Sequence, residues 1–111
     1  MGSEMCIRDR RRDLISTGIS VEMPPNTRGE IWGRSGLAVH HGIGILGGVI
    51  DSGYRGELMV CLINHGHEPF IIKPGDRIAQ IVFSPTITET IEWTGTVSET
   101  ERGATGFGSS G

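Results

Sequence analysis

Apolar and polar side chains alternate with a period of two in residues 15–23 and again in residues 86–93. This period places every second side chain on the same face of an extended backbone, so both stretches are predicted to be β-strands. Pro24-Pro25-Asn26 follows the first stretch and predicts a turn at its end.

Within residues 57–64, ELMVCLIN, the side chains from Leu58 to Ile63 are all apolar, which indicates a strand covered on both faces. Residues 69–72 and 78–83 are predicted to be shorter strands, with a tight turn at 73–76 between them. Turn signals recur at the spacing of roughly 8–12 residues that is typical of sandwiches and barrels. We therefore predict an all-β fold without a long helix.

The two ends of the chain differ in composition from the middle. Residues 1–10 carry four charges and no period, and we expect them to be a non-native leader outside the fold. Residues 11–98 would then form the β domain. Residues 99–111 are rich in glycine and contain one aromatic residue, so we expect a flexible tail that orders over a ligand as a lid.

The net charge of −3 argues against a nucleic-acid polymer as the main partner, because binding to a phosphate backbone needs a basic face. No apolar run approaches the roughly 20 residues that cross a membrane, so no membrane partner is expected. Cys6 and Cys61 have no metal-binding spacing and are predicted to be reduced thiols. These features favour a cytoplasmic location, or a nuclear one in a eukaryote.

Two glycine-punctuated segments carry residues suited to a phosphorylated ligand. Arg34-Ser35-Gly36 offers a guanidinium and a hydroxyl to phosphate oxygens, although a solvated loop arginine is the simpler explanation of this segment alone. In the segment from Gly47 to Gly56, Asp51 ends an apolar run and can act as a general base, and Tyr54 offers a flat face. A hairpin turn in which Asp51 caps its own backbone is the alternative.

Two further segments complete the set. Gln80 is a polar side chain in an apolar strand, so it is either a hub of buried hydrogen bonds or a ligand contact. Asp76 and Arg77 are most simply explained as a turn with an ion pair. The tail from Arg102 to Gly111 has glycine and serine amides that can surround an anion, and Phe107 can stack on a base.

Taken in order and at their spacings, these four segments resemble the trimeric dUTPase family over residues 14–111. RSGLA resembles its second motif, GVIDSGYRGE its third, GDRIAQ its fourth and RGATGFGSSG its fifth. The resemblance implies a dUTPase-like β jelly roll of the β-clip type and a homotrimer with sites between subunits. It also implies Mg²⁺-dependent hydrolysis of dUTP to dUMP and pyrophosphate.

The same resemblance implies a role for each matched residue. Asp51 would activate the water that attacks the α-phosphorus, and Tyr54 would pack under the deoxyribose. Magnesium would be carried by the substrate triphosphate, so no protein ligands for the metal are expected. The other substrate-binding residues would read uracil (Gly48, Val49, Ile50), hold phosphate oxygens (Arg34, Ser35, Gly36, Gln80) or form the lid (Arg102, Phe107, Gly108, Ser109, Ser110).

Three features depart from the family pattern. The AGYDL-like first motif is absent upstream of Leu14, Gly33 stands where proline is common, and Gly47 stands where many members have asparagine. A dUTP-binding or regulatory module with impaired catalysis is therefore an alternative function. A dCTP deaminase, which shares the fold, is a further alternative, but Cys61 stands where that family has its catalytic glutamate.

Overall fold

The computed structural model describes residues 4–108, and this part of the chain contains eight β-strands and one short helix. The predicted all-β architecture is thereby confirmed. In chain order the elements are β1 (Met5–Ile7), β2 (Arg12–Ser20), β3 (Thr27–Trp32), α1 (Ser35–His41), β4 (Ile43–Leu46), β5 (Val49–Asp51), β6 (Glu57–Asn64), β7 (Phe70–Ile72) and β8 (Gln80–Pro85).

The strands form three small antiparallel sheets, with the orders β1–β7, β2–β6–β4 and β5–β3–β8. Several connections lead from one sheet to another, as between β4 and β5. Each sheet has one face against the others, and the alternating side chains of each strand supply the apolar surface for that face.

The hydrophobic core lies against the inward face of β6, where Val60 and Leu62 are buried and Leu62 is 0% exposed. The outward residues of β6 are half-buried, so the second face is only partly covered within one chain. All three sheets contribute side chains to the core cluster, which consists of Ile7, Ile15, Ile31, Ile43, Val60, Leu62 and Ile72.

Residues 5–7 belong to the fold, contrary to the expectation that residues 1–10 lie outside it. They form β1, which pairs with β7 so that Ile7 lies opposite Phe70, and Ile7 is only 2% exposed. Three residues are too few to show a period, so this strand is recognisable only through the partner strand. The non-native origin of the leader stays a prediction.

A buried amide connects β1 to the loop that follows β6. The Asn64 side chain donates from Nδ2 to the carbonyl oxygens of Ile7 (2.9 Å) and Glu68 (2.8 Å), and its Oδ1 accepts from the amide of Gly66 (2.9 Å). Asn64 is fully buried, and these three bonds satisfy the polar atoms that burial removes from water.

The strand predicted over residues 86–93 is wrong. β8 ends at Pro85, and residues 86–100 contain neither helix nor strand. Ile87, Ile91 and Trp93 are almost fully exposed. Alternating side chains make a segment suited to pairing, but no strand within residues 4–108 lies beside this one, so the pattern is left without a partner.

α1 is not predicted by the hydrophobic pattern, because seven residues are too few for a helical period to show. The helix ends at Gly42, whose φ of 70° is left-handed and whose amide donates to the carbonyl oxygen of Ala38 at 3.0 Å. A Cβ at Gly42 would lie 2.7 Å from the amide nitrogen of Gly66, so only glycine fits. Within the described residues, no helix has the length and hydropathy needed to cross a membrane.

Candidate active site

A cleft of ≈ 500 Å³ opens between α1 and the segment that leads into β8. It brings together the four residues for which the family resemblance implies phosphate binding. Arg34, Ser35 and Gly36 lie where β3 passes into α1, and Gln80 begins β8, which pairs with β3 so that Gln80 is opposite Trp32. The complete lining is Arg34, Ser35, Gly36, Leu37, His40, His41, Arg77 and Gln80.

Gln80 holds the chain just before the arginine of this cleft. Its Nε2 donates to the carbonyl oxygen of Gly33 at 2.9 Å, and the side chain is exposed. It is therefore not a hub of buried hydrogen bonds, one of the two alternatives at the sequence level. Nε2 carries a second hydrogen, which donates to no acceptor among the described residues and can therefore bind a phosphate oxygen.

The charged side chains that line the cleft are all cationic. Arg34 and Arg77 form no ion pair with any carboxylate among residues 4–108. The predicted ion pair between Asp76 and Arg77 is absent, because the Asp76 carboxylate instead accepts from the amide of Lys73 at 2.8 Å and closes the turn. A cleft lined by charge of one sign concentrates the opposite charge, so this one is suited to an anion.

A larger groove of ≈ 700 Å³ lies beside the cleft and shares Arg34, Arg77 and Gln80 with it. Apart from this shared end it is lined mostly by apolar side chains of β2, β6 and the segment before β8. Size alone favours the groove as a ligand site, but phosphate recognition needs cationic and hydroxyl groups, and these converge in the smaller cleft.

Asp51 is the last residue of β5, and Tyr54 lies in the turn that follows. Neither residue lines the cleft of its own chain. The amide of Tyr54 donates to the carbonyl oxygen of Asp51 at 3.1 Å, and the Tyr54 hydroxyl donates to the carbonyl oxygen of Glu57 at 2.7 Å. The turn therefore forms through backbone atoms. No hydrogen bond or ion pair involves the Asp51 carboxylate among the residues that the structure describes, so the predicted alternative of side-chain capping is not seen.

Arg28 is the residue opposite Asp51 on the neighbouring strand, but its charge is already paired. Its Nε lies 2.6 Å from Oε1 of Glu30, and the indole Nε1 of Trp32 donates to Oε2 of Glu30 at 2.9 Å. The hydrogen bonds from Arg28 and then Trp32 lower the pKa of Glu30 below its ordinary value of 4.5. The residue types alone do not predict this arrangement, which leaves the Asp51 carboxylate without an ion-pair partner among residues 4–108.

The Gly47-Gly48 segment connects β4 to β5, which belong to different sheets. β4 and β5 do not pair with each other, and the Gly48 carbonyl accepts from the amide of Ile31 at 2.7 Å. Gly48 has a φ of 114°, and a Cβ there would lie 3.0 Å from the Ile31 carbonyl oxygen. A side chain at this position is therefore strained, and the backbone stays open to a flat ligand.

The residues expected to read uracil, and the described residues expected to form the lid, do not line the cleft within one chain. Val49 is exposed and Ile50 is half-buried in β5. In the tail, Nε of Arg102 donates to the carbonyl oxygen of Thr105 at 2.6 Å, and Phe107 is fully exposed with a φ of 49°. Gly108 has a φ of 89°, whereas Ser109 and Ser110 lie outside the described residues.

No group of three or more histidine, cysteine, aspartate or glutamate side chains suited to a metal ion occurs within residues 4–108. The cleft instead offers guanidinium, hydroxyl and amide groups, which match the oxygen atoms of a polyphosphate. This donor set fits Mg²⁺ held by phosphate oxygens and water, and it does not resemble a dedicated carboxylate cage.

Comparison with known proteins agrees with the geometry. The model of the dUTPase family matches residues 2–111. The deoxyuridine 5′-triphosphate nucleotidohydrolase of Clostridium kluyveri is 49% identical over 110 residues, which cover 97% of this chain and 77% of that protein.

Solved structures show the same fold. A mutant dUTPase of Staphylococcus bacteriophage 80alpha, solved with dUpNHpp, has a TM-score of 0.89 and 26% identity over 98% of this chain and 81% of its own. A mutant dUTPase from phage phi11 of S. aureus, described with a structural Mg(II) ion, has a TM-score of 0.78 and 21% identity over 85% of this chain and 78% of its own. The family match over nearly the whole chain and the sequence identity to the clostridial protein together place this chain in the dUTPase family.

Proposed function

We propose that this chain is a dUTP diphosphatase that hydrolyses dUTP to dUMP and pyrophosphate. The observation that carries the proposal is the cleft in which Arg34, Ser35, Gly36 and Gln80 meet without a carboxylate, in a chain that belongs to the dUTPase family. A triphosphate carries several negative charges, and a cleft with two unpaired guanidinium groups offsets them.

Asp51 is the proposed general base. It takes a proton from a water molecule while the water oxygen bonds to the α-phosphorus, and the bond from phosphorus to the bridging oxygen breaks to release pyrophosphate. The pairing of Arg28 with Glu30 supports this role, because an arginine free to pair with Asp51 would stabilise its charged form and weaken it as a base.

Phosphoryl chemistry depends mainly on positioning and on stabilising charge, and the cleft residues supply both. Arg34 and Ser35 bind phosphate oxygens, while Gln80 holds the carbonyl of Gly33 and so orients the loop. Mg²⁺ bound to the triphosphate would neutralise part of its charge during the reaction. No residue of this chain is needed to bind the metal directly.

Selection of deoxyuridine is assigned to the segment around β5. The bare backbone of Gly48 approaches the flat base, so a methyl group on the ring meets backbone atoms and is rejected sterically. Tyr54 packs under the deoxyribose and leaves no room for a 2′-hydroxyl. Its hydroxyl is tied to the carbonyl oxygen of Glu57, which supports a fixed position for the ring.

A homotrimer is proposed because the assigned groups are separated within one chain. Asp51, Tyr54 and residues 102–108 of the tail do not line the cleft formed by Arg34 and Gln80, so a complete site would require several copies. The outer face of the β2–β6–β4 sheet offers a contact surface: Leu14, Cys61 and Leu46 lie in register across it, and Leu14 is 54% and Leu46 40% exposed. An apolar row of this kind is buried when protomers associate.

The tail is proposed to be the lid of a site on another protomer. Within residues 4–108 the Phe107 ring is fully exposed, as expected of a ring that stacks on a ligand elsewhere. Arg102 would pair with the terminal phosphate. Glycines with left-handed φ values at Gly103 and Gly108 allow the tight turns that such closure needs.

The decisive experiment combines pyrophosphate release with binding of a non-hydrolysable dUTP analogue. Asp51→Asn keeps the shape of the side chain but removes the base, so turnover should fall by ~10²–10⁴ while the analogue still binds. Asp9→Asn is the matched control, because Asp9 is exposed and, among the described residues, forms an ion pair only with its neighbour Arg10. Unchanged turnover in Asp51→Asn would exclude this residue as the base.

The unsubstituted chain separates the alternative functions in the same assay. Analogue binding without pyrophosphate release would identify a dUTP-binding module. Ammonia release from dCTP would identify a deaminase. Release of pyrophosphate from dUTP, without ammonia from dCTP, is the expected result.

A further inference from the structure

The Tyr54 ring lies against the backbone at the point where β6 begins. Its hydroxyl donates to the carbonyl oxygen of Glu57 at 2.7 Å. A Cβ at Gly56 would lie 2.5 Å from the hydroxyl oxygen and 3.0 Å from Cε1 of the ring, so the ring occupies the space that a side chain at position 56 would need. Tyr54 is still 43% exposed, which leaves part of its ring open to a ligand. The position of the ring therefore depends on where the backbone of Gly56 and Glu57 is held.

The Glu57 side chain holds this backbone against an irregular part of β2. Four steps along β2, from Ser16 to Ser20, correspond to only two steps along β6. Regular ladder pairing is interrupted within such a bulge. Oε1 of Glu57 supplies the missing acceptor, because it accepts from the Ser16 hydroxyl at 2.8 Å and from the amide of Gly18 at 3.0 Å. The start of β6 is therefore tied to β2 by a side-chain oxygen.

We propose that Glu57 and Gly56 are positioning residues that set how strictly the site rejects a ribonucleotide. The inference rests on the proposed function, in which Tyr54 packs under the deoxyribose. A displacement of about 1 Å is enough to change how a bound group fits, so the ring excludes a 2′-hydroxyl only while its position is fixed. Gly56 lets the ring lie directly on the backbone, and Glu57 keeps that backbone in place.

The test compares two ligands that differ only at the 2′ position, a non-hydrolysable dUTP analogue and the UTP analogue with the same phosphate chain. Titration calorimetry on the full chain gives both dissociation constants, and the UTP value divided by the dUTP value measures the discrimination. Glu57→Ala removes both hydrogen bonds to β2, so this ratio should fall by about two- to tenfold, the effect of a lost hydrogen bond. Glu57→Gln keeps an acceptor oxygen and should retain the native ratio.

A second variant acts on the ring without changing the contact to β2. Gly56→Ala places a Cβ against the Tyr54 hydroxyl, and the ring must move by about 1 Å to reach an ordinary contact distance. The φ of Gly56 lies outside the left-handed region, so alanine does not strain the backbone. The discrimination ratio should again fall, and this result does not depend on whether Glu57→Ala folds.

Each variant has a matched control. Gly53→Ala lies in the same turn, but its Cβ would meet no atom within 4 Å beyond its chain neighbours. Glu68→Ala removes an exposed carboxylate that forms no hydrogen bond or ion pair among the described residues. Both controls should keep the native ratio. Thermal unfolding of every variant shows whether the fold is intact.

The ring itself can be observed without a nucleotide. Tyr54 is the only tyrosine of the chain, so the ring signals of isotope-labelled tyrosine in an NMR spectrum report this residue alone. Glu57→Ala and Gly56→Ala should shift these signals more than Glu57→Gln and the two controls do. A role limited to overall stability would leave the ring signals of the folded protein in place.

The outcomes separate this inference from the proposed function. Equal weakening of both analogues, or an unchanged ratio, in Glu57→Ala and Gly56→Ala overturns the inference even if the chain hydrolyses dUTP. A fall in Glu57→Gln as large as that in Glu57→Ala also overturns it, because charge and not hydrogen bonding would then be responsible. Shifted ring signals together with a lower ratio support it. If the native chain binds neither analogue and releases no pyrophosphate from dUTP, the proposed function fails, and the ring signals still decide whether Glu57 and Gly56 position Tyr54.

Discussion

Gln80 and Gly33 offer a way to measure how far the loop before Arg34 depends on one hydrogen bond. The bond from Gln80 Nε2 to the Gly33 carbonyl is 2.9 Å long and exposed to solvent, so its net contribution is about 0.5–1.5 kcal/mol. Gln80→Ala frees the loop and also removes a contact to phosphate. Binding of the dUTP analogue should weaken by at least about two- to tenfold, the factor that this free energy gives.

Gly33→Pro separates these two contributions. The φ of Gly33 lies outside the left-handed region, and a Cβ there would lie 3.6 Å from Cγ1 of Ile45, an ordinary contact. Neither the sign of φ nor the Cβ contact conflicts with proline, which should stabilise the loop by about 0.4–1 kcal/mol because it restricts the unfolded chain. With the loop already restricted, Gln80→Ala should lose less affinity than it does in the native background.

The assay is a double-mutant cycle on analogue affinity, measured by calorimetry. A coupling of about 0.5 kcal/mol or more between the two substitutions would show that Gln80 acts partly by orienting the loop. Gly33→Ala is the control, since it adds a side chain without fixing φ, and it should show weaker coupling. If Gln80→Ala loses the same factor in both backgrounds, the hydrogen bond to Gly33 contributes nothing to binding, and the reasoning is refuted.

Two further predictions concern the assembly and the tail. Leu14→Glu places a charge in the exposed apolar row of the β2–β6–β4 sheet and should shift the chain from trimer to monomer in sedimentation equilibrium. Arg12→Glu, two pairs along the same ladder, serves as a charge control, and an unaltered trimer in Leu14→Glu would remove this face from the interface. Phe107→Ala should weaken analogue binding by roughly 1–3 kcal/mol if the ring stacks on uracil. Equal affinities for the native chain and Phe107→Ala would contradict the lid.

The missing strand at residues 86–93 shows where local patterns fail. Ile87 and Ile91 alternate with polar residues as strand residues do, yet they lie exposed beyond β8. Alternation shows only that one face of a segment is apolar enough to be buried. That face is buried only when another strand pairs with the segment. In the proposed trimer that partner would come from another copy, which a single chain cannot supply.

β1 shows the converse. Nothing in Met5-Cys6-Ile7 predicts a strand, and its place is fixed by β7 and by the Asn64 side chain, which bonds to the Ile7 carbonyl. α1 is similar, because the helix ends where Gly42 packs against the backbone of Gly66, and this contact exists only in the folded chain. A short element is determined by what packs against it, since its own residues carry too little information.

Local sequence information was sufficient for the strand-rich fold, for the turn at 73–76 and for the four segments that mark the dUTPase family. Alternation, glycine and proline act within a few residues, so their effects can be read without coordinates. The cationic cleft depended on contacts between distant segments. Arg77 is left unpaired because Lys73 engages Asp76, and Asp51 is left unpaired because Arg28 engages Glu30. Asp76 and Arg28 each have more than one possible partner in the sequence. In the folded chain each of them bonds to a partner other than Arg77 or Asp51.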